Sequence, residues 1–336
     1  MQPEFIVCET AAQPRIGHHH GRVAISTVGG PIPCVAPVNE VRDAALALEL
    51  LCADIADMKA QQQREGALLL RGLGLTRGAE FRAVVGHFCS RLSDYAGGTS
   101  PRTGLGDGLY TSTEHPAERT IALHNEMSYH HNWPAVIAFF CERPPATGGE
   151  TPIADGREIL DRLPDGLVRR FDERGIAYTR VFPSAPRFAG SWERTFGSAD
   201  PAHVAASLEA QGIDYRWGAG GALHTREVRP ALQRHPRTGE LVWFNQAHMW
   251  HVSNLPGFED EENLPAEEDL PMNASFGDGS PISAADLQLV RAALQASERS
   301  FHWATGDLVL LDNVLFAHGR RPYTGERRIL VAMGET

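Results

Sequence analysis

From Asn39 onward, apolar side chains recur every three or four residues, at Val41, Ala45, Leu48, Leu51, Ile55 and Met58. That spacing places them on one face of a helix, with Asn39 as its N-cap and Gly66 as its terminator. Ala67-Leu68-Leu69-Leu70 is a continuous apolar run of strand length, closed by Gly72 and Gly74. A second helix is predicted from Gly78 to Leu92, with Phe81, Val84, Phe88 and Leu92 on one side. Residues 94–119 are rich in Gly, Thr, Ser and Pro and read as a long loop, a kind of segment that is often functional. Residues 1–37 read as irregular with one short strand.

Further strands are predicted at Ala135–Cys141, Thr151–Ile153, Ile176–Phe182, Leu241–Asn245, Asp307–Asp312 and Arg328–Met333. Asp155 has the character of an N-cap, with Glu158 in the capping-box position, and Leu160, Leu163, Leu167, Val168 and Phe171 continue as short helices to Arg174. Helices are also expected at Pro201–Ala210, ended by Gly212, and from Ser283, with Leu287, Val290 and Leu294 buried. Two stretches, 183–200 and 255–280, read as a flap and a lid. The sum is a mainly β chain with flanking helices.

One stretch changes this from a fold problem to a chemical one. In Leu123-His124-Asn125-Glu126-Met127-Ser128-Tyr129 an imidazole and a carboxylate stand two residues apart. In an extended chain residues i and i+2 point to the same side, so His124 and Glu126 can reach one metal ion. His318, in Asp312-Asn313-Val314-Leu315-Phe316-Ala317-His318-Gly319-Arg320, is the best candidate for a third ligand. Two histidines and a carboxylate on one face leave three positions open on an octahedral ion, the arrangement of non-haem Fe(II) oxygenases. The two stretches follow different strands, so distant strands must pair. A double-sheet jelly roll, the double-stranded β-helix, meets that need, and we expect one domain over residues 1–336.

Composition narrows the alternatives. A net charge of −11 without a Lys/Arg cluster excludes nucleic acid as a partner. Five cysteines, Cys8, Cys34, Cys52, Cys89 and Cys141, form no CxxC pair, which argues against a disulfide framework or a thiolate zinc site. No apolar run reaches membrane-spanning length, and no basic segment followed by an apolar run marks a secretory leader. A cytoplasmic protein with no membrane contact is expected.

His-x-Glu alone is weak evidence. Three features accompany it: Thr151, with twenty-four residues between it and Glu126; the pair Arg327-Arg328 after His318; and the run from Trp303 to Asn313 leading into the distal histidine. On these residues the chain resembles the taurine dioxygenase group of Fe(II)/2-oxoglutarate oxygenases, whose pattern is His-x-Asp/Glu, a Thr or Ser some two dozen residues on, a distant His, and an Arg beyond it. The stretches Tyr110–Asp155 and Trp303–Met333 carry the likeness. Within the group it looks most like the branch similar to syringomycin-pathway hydroxylases, which oxidises amino acids in peptide natural-product pathways.

The resemblance implies Fe(II) held by His124, Glu126 and His318, O2 as oxidant, and 2-oxoglutarate with its far carboxylate on Arg328 and Thr151. Arg327 and Arg328 face opposite sides of a strand. Only nine residues separate His318 from Arg328, short of the usual spacing. Arg328 is the preferred anchor and Arg320 the next. Halogenating relatives have a small residue where this chain has Glu126, so oxygen insertion is expected. The implied substrate is an amino acid or amino-acid-like small molecule, free or tethered to a carrier protein, in natural-product biosynthesis. Candidate substrate contacts are Asn125, Arg102, Tyr129, Trp243 and Asn245. Asp312 and Asn313 are candidates for orienting His318, and His130 and His131 for supporting or surface positions.

Two other functions use the same residues. A zinc hydrolase would share the ligands, but HExxH is absent and Thr151 and Arg328 would have no role. A non-catalytic jelly-roll binding module would tolerate loss of His124.

Overall fold

The computed structural model describes residues 5–6, 21–23, 32–37, 44–93, 102–185, 190–255, 265–266 and 269–336. They gather into two compact units, the first made of residues 1–126, 134–158 and 296–336 and the second of 127–133 and 159–295. The capping role expected of Asn39 lies outside the described residues.

In the first unit a main sheet runs, in spatial order, through Ile32–Pro37, Ala67–Leu70, Leu308–Asp312, Val136–Arg143, Arg328–Glu335 and Leu109–Thr111. Its central strands are buried on both faces, which is why they read as unbroken apolar runs. One face, with Leu68, Leu70, Val136, Ala138, Phe140, Leu308, Leu310, Leu330 and Ala332, joins a core with Leu51 and Met58 of the Ala44–Glu65 helix and Phe81, Val84 and Val85 of the Gly78–Phe88 helix. Burying a side chain of this size contributes about 1.5–3 kcal/mol. The opposite face carries Phe139, whose ring lies 5.0 Å from that of His318.

His318 belongs to the second sheet of this unit, ordered Glu298–Arg299, Ile153–Asp155, Phe316–Arg320 and Ile121–His124. Two sheets facing across a core are the expected jelly-roll layout. Gly66 ends the first helix as predicted. Its φ is +80°, and a Cβ there would stand 2.8 Å from the Phe316 ring, so this turn needs glycine.

Several boundaries differ from expectation. The second helix stops at Phe88 because Cys89 is extended, and Leu92 pairs instead with Gly334 in the main sheet. Within the stretch read as a loop, Leu109–Thr111 is a strand that pairs with Leu330–Ala332 and is entered by a turn with positive φ at Asp107 and Gly108. Asp-Gly is a hairpin signal that composition counting hides. Ile32–Pro37 is a six-residue strand, parallel to Ala67–Leu70. Asp155 caps as predicted, accepting from Arg157 N–H at 2.9 Å, while the Glu158 side chain pairs with Arg299.

The second unit is built on an antiparallel sheet ordered Asp214–Trp217, Leu223–Arg229, Ile176–Phe182 and Met272–Phe276. Phe182, Trp192, Val204, Leu208 and Leu223 form one apolar cluster, so the described end of the supposed 183–200 flap is anchored. Trp192 also donates its indole N–H to Gly221 O at 3.0 Å. Residues 272–276 of the supposed lid are a strand, paired with Ile176–Arg180. Among the described residues, no helix is long and apolar enough to cross a membrane.

Candidate active site

Antiparallel pairing of Phe316–Arg320 with Ile121–His124 sets His318 directly opposite His124. The distal histidine thus sits within a strand and the proximal one at a strand's last residue, where the sequence pattern placed both after strands. A bulge separates His318 from Arg320, and Gly319 makes it possible: a Cβ there would stand 2.6 Å from Ile121 O. The two imidazole rings lie 4.5 Å apart, centre to centre. Glu126 follows in a turn, with Met127 in the left-handed region at φ +55°. The His-x-Glu pair therefore converges through a strand end and a turn, not through two positions of one extended strand.

His124, Glu126 and His318 are all buried, and their donor atoms lie within 4.8 Å of one another. Glu126 Oε2 is 3.6 Å from His318 Nε2. His124 Nδ1 donates to Ala122 O at 2.8 Å, which fixes the proton on that nitrogen and leaves Nε2 as the ligand atom. His318 Nδ1 is buried without a hydrogen-bond partner among the described residues. Burial, with the neighbouring His318, pushes His124 down to about 3. Burial alone would raise Glu126, but the Arg102 guanidinium and the two imidazoles override it and hold the carboxyl below its ordinary range. Two imidazoles and one carboxylate are the donor set an Fe(II) ion takes, so these residues fit the metal.

Asn313 organises the acid. Its Oδ1 accepts from Glu126 N–H at 2.7 Å, and its Nδ2 donates to Glu126 O at 3.0 Å and Pro134 O at 2.8 Å. Asn125 donates to Asn313 O at 2.7 Å. Asn313 was expected to orient His318; it grips the backbone of Glu126 instead. Asp312 accepts from Val314 and Leu315 N–H. Asn125, a candidate substrate contact, is a brace for the ligand turn.

A cleft opens beside the ligands, lined by Arg102, Ser112, Thr113, Ile121, His124, Phe139, Thr151, His318, Gly319, Arg320 and Arg327. Thr151 is buried in it, accepting from Trp303 Nε1–H at 3.3 Å and from Arg327 Nη2 at 3.4 Å. Arg327 also donates to Gly149 O and Ser112 Oγ. Burial lowers it only to about 10, so it stays charged at neutral pH.

Arg328, the anchor preferred from sequence, lies elsewhere. Its side chain is 61% exposed and paired with Glu142. The reason is strand parity. Arg328, the strand's first residue, shares a face with Leu330 and Ala332, which pack toward the helices, whereas Arg327 precedes the strand and turns to the other side, that of Ile329 and Val331. Val331 is opposite Phe139, a cleft residue. Arg320 lines the cleft, and its two terminal nitrogens donate to the carbonyls of His115, Pro116 and Arg119. It fastens that loop.

Of the remaining substrate candidates, Arg102 is in the cleft, 2.6 Å from Glu126 Oε2, with both side chains almost fully buried at 3% and 4% exposure. Tyr129 packs against Trp250 and Tyr178 in the second unit. Trp243 packs against Phe171. Asn245 bridges Ala231 O and Ala247 N–H. These three are core or bracing residues of that unit and are not among the cleft's lining.

Comparison with known proteins decides the class. Residues 38–333 match the model of the taurine catabolism dioxygenase TauD, TfdA family. The chain belongs to this family. It is an Fe(II)- and 2-oxoglutarate-dependent dioxygenase, which sets aside the zinc hydrolase and the binding module. The dapdiamide synthesis protein DdaC of Enterobacter agglomerans is 35% identical over 278 residues, covering 80% of this chain and 82% of that one. Among solved structures, PvcB, an Fe, alpha-ketoglutarate dependent oxygenase from an isonitrile synthetic pathway, shares the fold with a TM-score of 0.54 at 14% identity, over 98% of this dioxygenase and 95% of PvcB. Asparagine oxygenase, solved with Fe(II), 2S,3S-3-hydroxyasparagine and succinate, aligns with a TM-score of 0.51 at 14% identity, over 89% and 86% of the two chains.

Proposed function

We propose that this dioxygenase hydroxylates an amino acid or amino-acid-like small molecule, free or carrier-tethered, in the biosynthesis of a natural product. The observation that carries the reading is one cleft lined by two separate recognition elements: His124 and His318 of the set they form with Glu126, and the Arg327–Thr151 pair beside them. In this reading the three ligands hold iron, and Arg327 with the Thr151 hydroxyl binds the far carboxylate of 2-oxoglutarate. A guanidinium forks to both oxygens of a carboxylate. When bound, the iron and 2-oxoglutarate supply the activation of O2, with 2-oxoglutarate lost as succinate and CO2.

The chain's own part is placement. Asn313 fixes the acid ligand, Phe139 walls the His318 side of the cleft, and Arg102 is a buried cation suited to a substrate carboxylate. Holding the reacting groups in place and excluding water are the protein's contribution to such chemistry. Glu126 supplies a protein carboxylate where a halogenating enzyme needs room for halide. The amino-acid reading is supported by the character of asparagine oxygenase, and the biosynthetic setting by DdaC and PvcB.

Anaerobic protein loaded with Fe(II) and 2-oxoglutarate, given O2 and a panel of amino acids, should form succinate faster with one member of the panel and return that member one oxygen atom heavier. His318→Ala should abolish both. Succinate formed equally without iron, or wild-type protein that binds no 2-oxoglutarate, would refute the reading.

A further inference from the structure

The second unit contains its own convergence of nitrogen and carboxylate donors. His131 Nδ1 lies 3.6 Å, and His130 Nδ1 4.0 Å, from the same oxygen, Glu227 Oε1. The three donor atoms fall within 4.8 Å of one another. Hydrogen-bonded partners would approach to about 2.9 Å. Four ligands held at about 2.0–2.2 Å around a tetrahedral ion stand roughly 3.3–3.6 Å apart, a spacing closer to the one seen.

Among the described residues neither Glu227 Oε1 nor His131 Nδ1 has a hydrogen-bond partner, although both atoms are buried. Buried polar atoms in native structures rarely lack one. The neighbouring groups also set the imidazoles for coordination. Gln211 donates its amide hydrogens to Ser207 O and Ser207 Oγ, both at 3.0 Å, so its oxygen is the atom left to accept from His130. His130 Nδ1 accepts a long bond, 3.4 Å, from Asn132 N–H. Together these put the His130 proton on Nε2 and a lone pair on Nδ1, the outer-shell arrangement of a metal-bound histidine. Burial lowers both imidazoles, His130 to about 4, so both are neutral at neutral pH. Glu227 also accepts from the His131 backbone N–H.

We propose that His130, His131 and Glu227 form a second divalent-cation site, of the zinc class, that ties the segment following Glu126 to the Leu223–Arg229 strand. Imidazole and carboxylate donors suit such ions. The three side chains are 12%, 28% and 12% exposed, which leaves access for the ion and for a water as fourth ligand. One group opposes it: Arg229 Nη1 is 3.8 Å from Glu227 Oε1. That opposition makes the proposal sharper, because removing Arg229 should strengthen the site while removing Glu227 destroys it.

The test is titration of the metal-free full chain with Co(II) alone, followed by visible absorption and by metal analysis after gel filtration. Wild-type protein should take two equivalents, one showing the intense bands of four-coordinate cobalt. Glu227→Gln and His131→Gln should each take one, without those bands. His124→Ala should also take one, with the bands kept. Arg229→Gln should tighten the four-coordinate equivalent about tenfold, from loss of a nearby like charge. Unfolding curves in chelator show which variants are folded; if Glu227→Gln is not, His131→Gln and Arg229→Gln carry the test. A single wild-type equivalent that His124→Ala removes and Glu227→Gln keeps overturns the second site and leaves the dioxygenase reading standing. A single equivalent with the opposite pattern supports the second site and counts against the iron ligands instead.

Discussion

Arg327 donates to the Thr151 hydroxyl inside the cleft, while the next residue along the strand turns out to Glu142. One step of strand parity therefore separates an arginine that faces the cleft from one that faces the surface. Arg327→Gln should raise the 2-oxoglutarate KM by about 30-fold or more, since losing one partner of a buried charge pair costs about 2–5 kcal/mol. Arg328→Gln should stay within about twofold of wild type, as expected for an exposed pair. Initial rates against 2-oxoglutarate concentration distinguish the two; equal effects would reverse the assignment.

Asn313 makes three hydrogen bonds to the backbone around Glu126. Asn313→Ala should weaken metal binding at His124, Glu126 and His318 about 10–100-fold, the usual effect of removing a group that orients a ligand. It should also lower stability by about 1–3 kcal/mol through the orphaned backbone groups. Mn(II) titration and urea unfolding measure the two separately.

Gly319 sits where its strand and Ile121–His124 run closest. Gly319→Ala should cost about 1–3 kcal/mol, as overpacking does, and should displace His318. A drop in metal affinity together with the urea midpoint is the expected result. Unchanged binding would show that the bulge absorbs a methyl group.

Glu227 gives a pH signature that needs no metal. Burial raises its carboxyl from 4.5 to about 7. The folded chain then holds a proton there between those pH values that the unfolded chain has released, so stability falls as pH rises through this window. Below about 4.5 both states are protonated and above about 7 neither is, so the contribution is flat outside it. In chelator, unfolding free energies of wild type minus Glu227→Gln should decline from pH 4.5 to 7. A flat difference would place the carboxyl at its ordinary value.

Much of this was legible in the chain. The helix ended by Gly66, the apolar strands at 67–70, 136–143 and 308–312, and the three donor residues are visible because each depends on local periodicity or residue type. Other features were not. Arg327 and Arg328 could not be separated, because the strand that begins at Arg328 is apolar on both faces and shows no alternation to reveal its parity. Tyr129, Trp243 and Asn245 looked like pocket residues because aromatic and amide side chains near a motif serve equally as core. The paired His124 and His318 depend on register between strands some two hundred residues apart, and the hold of Asn313 on Glu126 depends on the same pairing. The amino-acid sequence determined which chemical groups this dioxygenase possesses. Only the tertiary structure decided which of them meet, since a side chain's direction and neighbours are set by strand pairing across the sheet.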